Sequence, residues 1–335
     1  MKKILLVYLY IFLPSFALAQ LLPTSLFRET LSSVNPAVVD IEFLQYKLKY
    51  NSTLTYQEQW IGFSDIDNDR QFTFTGFADV IPKKSNFLWG FNLNFDQASS
   101  YQVLNTSFRG ALRVPLFSKY HYLSVGVGLG GSLAMIRFDK ITADDDFDPV
   151  VLLAQANSVI GFKPRASVGL YYYYYKDGED SYYLGLSLPN TVPQTFIVKN
   201  LDSTQVNSDF KFSILQHISV QGGYRFNMGR DYFDVSAWVK KAVTDPSSSN
   251  FPFQWSITTK YHFKDIFWLA GATTVSLGNE NILTNTQLSG SFGFDLPNQR
   301  RGLLMQFGCA YSHDLGLIGE GSYGTPEIFV RFAGL

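Results

Sequence analysis

Apolar residues alternate with polar or small residues through most of this sequence. In Asn86 to Gln97, NFLWGFNLNFDQ, every second residue is apolar and most of these are aromatic, while Gly, Asn and Asp fill most positions between them. A period of two predicts β-strands with one apolar face rather than amphipathic helices. A face this aromatic suits either the core of a soluble β-sandwich or the lipid-facing side of a membrane barrel.

The amino terminus has the features of a secretory signal peptide. Two lysines precede the apolar run Ile4 to Phe12, and Ala17 to Ala19 supplies the small-x-small pattern of a cleavage site. We expect residues 1–19 to be removed and the mature chain to begin near Gln20. An amino-terminal membrane anchor is the alternative, but the apolar run is shorter than the roughly 20 residues that span a bilayer.

The composition favours a protein with a large apolar surface. Charged residues are 16% of the chain and aromatic residues are also 16%, whereas soluble proteins carry about 25% charged residues. The 27 Lys and Arg nearly balance the 28 Asp and Glu without forming a basic stripe, which argues against nucleic-acid binding. No later segment is apolar enough over its length to be a transmembrane helix. In lipid, only helices and closed barrels give all their backbone N–H and C=O groups hydrogen-bond partners. The exported chain is therefore predicted to be a secreted β-protein or an outer-membrane barrel.

About fourteen strands are predicted, an even number as in bacterial barrels. The first is Ile41 to Trp60, interpreted as one long strand or a bent pair. The others are Gln71–Val80, Asn86–Gln97, Thr106–Val114, Leu123–Met135, Ala166–Tyr175, Tyr182–Leu188, Ile218–Phe226, Tyr232–Val239, Phe251–Phe263, Phe267–Leu277, Leu288–Leu296, Leu303–Tyr311 and Glu327–Phe332.

The connections between these strands alternate between short and long. The longest are Arg137 to Pro164 and Pro189 to Gln216. Short periplasmic turns opposite long extracellular loops are typical of outer-membrane barrels, and a soluble sandwich gives no reason for them. We therefore predict an all-β fold, a transmembrane antiparallel β-barrel formed by residues 41–335. Residues 20–40 are expected to plug the lumen or to lie in the periplasm.

The second face of the strands is mostly Gly, Ser, Thr and Asn. A water-filled pore is usually lined by rings of charge, so this face favours a filled or narrow lumen. Part of it, Gly126 to Gly131, matches the pattern G-x-G-x-x-G. Its glycines lie on one face of an alternating strand and no helix follows, so we interpret them as closely packed or lumen-facing rather than as a nucleotide site.

Motifs for metal binding and catalysis are weak. Asp65 to Asp69 resembles the start of a calcium loop, but Arg70 and Gly76 replace the required Gly and Glu. The four histidines lack metal-ligand spacing, and His313-Asp314 is the only adjacent His–Asp pair. We predict no cofactor, no metal and no enzymatic activity, with a barrel hydrolase and loose divalent binding at acidic loops as alternatives. The single cysteine, Cys309, is expected to be a buried, inert thiol.

Several segments, in order, resemble the PorP/SprF family of outer-membrane proteins, which is linked to type IX secretion and gliding motility in Gram-negative bacteria. They are Asn35-Pro36-Ala37, Gln59 to Gly62, the glycine-rich strand Leu123 to Gly131, the hairpin Gly169 to Asn190, His217 to Phe226, Asp265 to Ala272, Tyr311 to Asp314 and Pro326 to Phe332. The resemblance covers nearly the whole mature chain. The acidic insertion at Asp65 to Asp69 and the ending RFAGL depart from the family pattern.

The resemblance implies a non-catalytic barrel in the outer membrane that binds or anchors a secreted protein, typically an adhesin with a type B C-terminal domain. It also points to contacts with periplasmic components of the secretion or gliding machinery. We expect the partner to bind the two longest loops, at Asp139 to Asp148 and Val192 to Asp209. The candidate residues are Asp144, Asp145, Asp146, Phe147, Asp148, Phe196, Val198, Asn200 and Asp202. A passive porin or a hydrophobic-solute channel is the alternative.

Overall fold

Fourteen antiparallel strands close into one barrel in the part of the chain that the structure describes. The structure is a computed structural model. It describes residues 26–59, 71–82, 85–98, 101–136, 159–198, 210–214, 216–243, 253–264, 266–277, 283–298, 302–315 and 324–334. Neighbouring strands in the barrel are consecutive in sequence, except where a separate two-stranded hairpin intervenes, and the last strand pairs with the first.

The strands and helices have the following bounds. The strands are β1 Tyr50–Gln59, β2 Gln71–Val80, β3 Phe87–Ala98, β4 Tyr101–Pro115, β5 His121–Ile136, β6 Val159–Tyr174, β7 Ser181–Leu188, β8 Gln194–Val198, β9 Phe210–Ile214, β10 His217–Met228, β11 Asp231–Ala242, β12 Phe253–Phe263, β13 Phe267–Leu277, β14 Leu283–Asn298, β15 Leu303–Asp314 and β16 Thr325–Gly334. Two short helices precede them, α1 Leu31–Val34 and α2 Ile41–Gln45. None of the helices described is long and apolar enough to cross a membrane.

The alternation in the sequence matches the two faces of the barrel wall. On β3, Trp89 points outward and is 59% exposed, whereas its neighbour Leu88 points into the barrel and is 2% exposed. The same division holds on β5, where Val125 and Val127 are exposed and Ser124 is buried. The outward surface is thus apolar, as lipid requires, and the inward surface is largely polar.

The first predicted strand is wrong in its first half. Residues 41–45 form α2, where the side chain of Asp40 accepts a hydrogen bond from the backbone N–H of Glu42 and so caps the helix. The barrel begins only at Tyr50, which pairs with Gly334 of the last strand and with Val80 of β2. The predicted barrel boundary at residue 41 therefore includes nine residues that lie before the first strand.

The alternation of short and long connections is less regular than predicted. One end of the barrel carries the turns β2–β3, β4–β5, β6–β7, β10–β11, β12–β13 and β14–β15, and we call it the short-turn end. We call the opposite end the long-loop end. At the long-loop end only two residues separate β3 from β4 and five separate β13 from β14. The long predicted loops are also shortened, because β6 already begins at Val159 and the second loop contains the β8–β9 hairpin.

Cys309 does not occupy the buried position expected of it. It is half-buried on β15, in register with Phe292 of β14 and Ile328 of β16, both of which are exposed on the outward face. The period-two pattern identified its strand correctly, but it did not indicate which of the two faces was buried.

Candidate functional site

Residues 26–49, which we call the inner segment, lie inside the barrel except at Lys47, whose side chain is exposed beside Asp177 at the short-turn end. Val39 and Ala37 are fully buried, and Ile41 is almost fully buried. They form one cluster with wall residues from opposite sides of the barrel, including Leu88 of β3 and Trp238 of β11. Because the strands supply few apolar inward-facing side chains, the inner segment provides much of the apolar core.

The turn Asn35-Pro36-Ala37 fits against a glycine-lined part of the wall. A β-carbon added to Gly126 would lie only 2.5 Å from the backbone N of Ala37 and from the carbonyl carbon of Pro36, and one added to Gly169 would overlap the side chain of Asn35. Glycine at these positions thus lets the two backbones approach closely. Of the G-x-G-x-x-G pattern, Gly126 accommodates a segment of the same chain, whereas Gly128 and Gly131 lie against Ser167 and Phe162 of β6.

Asn35 is fully buried and uses both ends of its side-chain amide. Its Nδ2 donates hydrogen bonds to the Leu170 carbonyl and to Gln221 Oε1, each at 3.1 Å, and its Oδ1 accepts one from the Ala37 N–H at 2.9 Å. One residue therefore ties the turn to β6 and β10. Satisfying these buried polar groups avoids a desolvation cost of about 1–3 kcal/mol for each group left unpaired.

Arg109 of β4 holds the next part of the inner segment. Its Nη1 donates to the carbonyls of Pro36 and Val38 at 3.0 and 3.1 Å, and its Nη2 donates to Ser32 Oγ at 3.1 Å. Asp79 of β2 balances its charge, with its Oδ1 2.6 Å from Arg109 Nη2. The planar guanidinium can make all these contacts at once, which a lysine could not do.

Glu42 of α2 is the centre of a buried ionic cluster. Its Oε2 lies 2.7 Å from Arg331 Nη1, and its Oε1 lies 3.5 Å from Lys260 Nζ and 3.6 Å from Arg225 Nη2. The hydroxyl of Tyr232 also donates to Oε1 at 3.1 Å. The cluster joins the inner segment to three adjacent strands, β10, β11 and β12, and to β16, which lies four strands from β12 in the barrel.

The charges around Glu42 decide its protonation state. Burial alone would raise the pKa of the carboxyl, but Lys260, Arg331 and Arg225 together hold that pKa well below its usual range. Lys260 is shared with Glu29, whose Oε1 lies 2.9 Å from the ammonium nitrogen. Glu42 is therefore an anion, and the site is a set of mutually neutralised charges that fastens the inner segment.

Arg28 makes a second, looser attachment. Its Nη1 lies 3.6 Å from Asp40 Oδ1 and its Nε lies 3.7 Å from Asp234 Oδ2, and its guanidinium lies 5.0 Å from the ring centroid of Tyr183. Burial would lower the pKa of Arg28, but Tyr183, Asp234 and Asp40 raise it well above its ordinary value. The residue therefore stays charged.

Nearer the long-loop end, amides and hydroxyls form a ladder across the wall. Ser132 Oγ donates to Asn105 Oδ1 at 2.6 Å, Asn105 Nδ2 donates to Asn94 Oδ1 at 3.2 Å, and Asn94 Nδ2 donates to Thr75 Oγ1 at 3.1 Å. These four residues lie on β5, β4, β3 and β2. The ladder agrees with the Ser, Thr and Asn character predicted for the inward face.

The predicted partner-binding residues fall mostly outside the described part of the chain. Asp144, Asp145, Asp146, Phe147, Asp148, Asn200 and Asp202 lie there. Val198 ends β8 and pairs in register with Phe210. Phe196 is 6% exposed and packs against Val103 and Ala134, which holds the hairpin to the wall. A partner meeting this hairpin would therefore meet a surface other than the side chain of Phe196.

The arrangement does not resemble a catalytic site. His262 Nε2 lies 2.7 Å from Asp295 Oδ2, and the histidine ring stacks on Tyr232 at 4.4 Å between centroids. Both His262 and Asp295 are almost completely buried, so a substrate has no access to the pair. Among the described residues, no group of three or more His, Cys, Asp and Glu side chains is placed to hold a metal ion.

Sequence reasoning missed the charged residues of the inward face. Four basic residues occupy inward-facing positions of the strands: Arg109, Arg225, Lys260 and Arg331. A basic residue at one of the polar positions of an alternating strand is therefore the sequence feature that indicates a charge inside the barrel. Buried charges of this kind need partners. The acidic residues at positions 29, 40 and 42, just before the first strand, were the complementary signal.

Comparisons with solved structures agree with the barrel fold. A Pseudomonas aeruginosa FadL homologue aligns with a TM-score of 0.51 at 10% identity, over 95% of this chain and 95% of that chain. The TodX deltaS2S3 mutant, a monoaromatic hydrocarbon channel, aligns with a TM-score of 0.50 at 8% identity, over 90% and 92% of the two chains. At such identities the likeness shows the fold alone. A search of the curated proteins finds no match.

Comparison with protein families gives a match over nearly the whole chain. The family described as type IX secretion system membrane protein PorP/SprF matches residues 18–332. This match agrees with the resemblance of the individual segments, and the closed barrel agrees with the fold of the solved structures. The chain belongs to the PorP/SprF family of type IX secretion system membrane proteins, and it is an outer-membrane β-barrel.

Proposed function

We propose that the protein binds a type IX secretion substrate and anchors it at the cell surface without catalysing a reaction. The substrate class that fits best is a large adhesin with a type B C-terminal domain. Family membership supports a role in type IX secretion.

The observation that carries the proposal is the occupied lumen. The inner segment is fastened to the wall by Arg109 on one side and by Arg331 and Lys260 on another, with all three side chains buried. A barrel used as a passive pore would need this cross-section free. With the lumen occupied, the surface that remains for a partner outside the cell is the long-loop end.

The partner surface is proposed to lie in the connections around residues 139–148 and 192–209. Long loops on a rigid barrel can vary in sequence at little structural cost, which suits a receptor for one specific partner. The β8–β9 hairpin supports the second loop, because Phe196 packs it onto the wall. Periplasmic secretion or gliding components are proposed to contact the opposite, short-turn end.

The test is to delete the gene and to compare cell-surface and medium proteins of mutant and parent by quantitative mass spectrometry. Anchoring predicts that one large secreted protein leaves the surface or is shed into the medium. Complementation with the wild-type gene should restore it, and a variant with residues 139–148 replaced by a Gly-Ser linker should not. If the surface proteins stay unchanged while uptake of small solutes falls, the channel function replaces anchoring.

A further inference from the structure

The turn between β4 and β5 has an unusually exposed apolar tip. Phe117 is 89% exposed, more than any other large hydrophobic residue that the structure describes, and its neighbour Leu116 is 41% exposed. The backbone N–H of Leu116 donates to the His121 carbonyl at 2.9 Å, so Leu116 extends the outward face of the strand pair by one position. The tip therefore continues the apolar outward surface beyond the last paired residues of the strands.

Two lysines flank an aromatic ring beside this tip. Lys119 Nζ lies 5.1 Å from the ring centroid of Tyr120, and Lys176 Nζ, from the turn between β6 and β7, lies 5.4 Å from the same centroid. Lys176 contacts Glu179. Lys119 forms no ion pair with any carboxylate in the described part of the chain, which leaves one exposed positive charge unbalanced. We call Leu116, Phe117, Lys119, Tyr120 and Lys176 the rim patch.

The rim patch borders a continuous band of outward-facing rings. His121 Nδ1 lies 2.7 Å from the Tyr172 hydroxyl, Tyr174 stacks on Tyr182 at 5.3 Å, and Tyr182 stacks on Tyr224 at 6.2 Å. Such bands mark the level of the lipid headgroups in outer-membrane barrels. Short turns lie on the periplasmic side of these barrels. The rim patch thus lies where the phosphates of the inner leaflet are found.

We propose that the rim patch is a binding site for an anionic phospholipid of the inner leaflet. Lys119, a compact point charge, binds the phosphate, and the ring of Tyr120 lies beside it, with its centroid 5.1 Å from Lys119 Nζ. Leu116 and Phe117 enter the region between the headgroups and the acyl chains, as apolar residues next to basic ones do at membrane surfaces. Lys176 contributes a second donor, although its charge is partly offset by Glu179.

Two features favour a lipid over a protein as the occupant. Leu112 and Val114 lie on the same outward face of β4 as Leu116 and are both exposed there, so the apolar tip continues the surface that lipid already covers. The exposed charge of Lys119 also complements a phosphate. This inference is independent of the proposed anchoring of a secreted protein, and either one can fail without the other.

The test uses the full-length protein in detergent, titrated with phosphatidylglycerol or phosphatidylethanolamine and examined by native mass spectrometry. We expect preferential retention of phosphatidylglycerol, with Lys119→Ser weakening it about fivefold, since a basic residue near an anionic headgroup contributes about that factor. Phe117→Ser should weaken retention of both lipids. The matched control is Lys264→Ser, because Lys264 also lies over an aromatic ring, Phe263 at 4.7 Å, but its charge is offset by the nearby carboxylate of Asp231, which also accepts a hydrogen bond from its backbone N–H.

The proposal is overturned if Lys119→Ser retains phosphatidylglycerol as the wild type does, or if Lys264→Ser loses it equally. It is also overturned if a photoreactive residue at position 117 labels a protein rather than phospholipid in intact cells. Heat-modifiable gel mobility shows that each variant still forms the barrel, so a folding defect is recognised separately.

Discussion

Glu42 Oε2 accepts a hydrogen bond from Arg331 Nη1 at 2.7 Å, although the two residues are 289 positions apart in the sequence. The contact joins the helix that precedes the first strand to the strand that closes the barrel. It therefore links the position of the inner segment directly to that of the closing strand.

Replacing Glu42 by Gln should loosen the inner segment. The change leaves Arg331 and Lys260 buried without their shared counter-charge, and breaking a buried ion pair from one side typically costs about 3–5 kcal/mol. We expect a lower unfolding temperature and fluctuating ion conductance in planar bilayers. The control, Glu58→Gln, removes a carboxylate that accepts a hydrogen bond from Tyr56 on the outward face, and it should change neither measurement.

The same cluster predicts how the barrel responds to acid. An unfolded glutamate has a pKa of about 4.3, whereas that of Glu42 is well below its usual range in the folded protein. The stabilisation from its charge is therefore fully present above pH ~4.3 and is lost as the pH falls through the lower folded-state pKa. The pore should therefore carry no steady ion current from neutral pH down to about pH 4.3, and a current should appear only below that range. A steady current already at mildly acidic pH would contradict the role assigned to the Glu42 carboxylate.

Gly126→Val should prevent the inner segment from docking. A β-carbon at this position already meets the backbone of Pro36 and Ala37 at 2.5 Å, and backbone cannot move aside as a flexible side chain can. We expect increased protease sensitivity of residues 26–49 together with an open pore. Gly290→Val is the matched control, because Gly290 is also a strand glycine but a β-carbon there meets open space.

Asn35→Ala removes the three hydrogen bonds that tie the turn to β6, β10 and its own backbone. Each buried group left unsatisfied costs about 1–3 kcal/mol, so the variant should unfold at lower temperature than the wild type. Asn35→Asp keeps the oxygen that accepts a hydrogen bond from the Ala37 N–H, but it loses both hydrogen bonds that Asn35 Nδ2 donates. Its unfolding temperature should lie at or below that of the alanine variant, and a value equal to the wild type would contradict the role of Nδ2.

The strands were predictable because lipid and lumen impose a two-residue period on every one of them. Gln71–Val80 and Phe267–Leu277 were predicted with the bounds that the structure has. Residues 41–49 were misassigned because their apolar residues pack inside the barrel, where helix and strand bury them equally well. Asp40 and Glu42 gave a local helix-start signal that the strand interpretation overlooked.

The ionic cluster could not be predicted from sequence in the same way. Glu42, Arg331 and Lys260 meet because fourteen strands close on themselves at one register, and no local pattern fixes that register. The Asn35-Pro36-Ala37 element and the glycines at 126 and 169 each belong to recognisable sequence segments, but their contact is a property of the closed barrel.

The most direct test of a lumen occupied by residues 26–49 is the conductance of the wild-type protein in a planar lipid bilayer, compared with a variant that lacks residues 26–45. The wild type should show no steady open-pore current at neutral pH, and the variant should show stable channels of uniform size. A steady wild-type current equal to that of the variant would contradict the closed lumen, and with it the argument that favours anchoring over a passive pore.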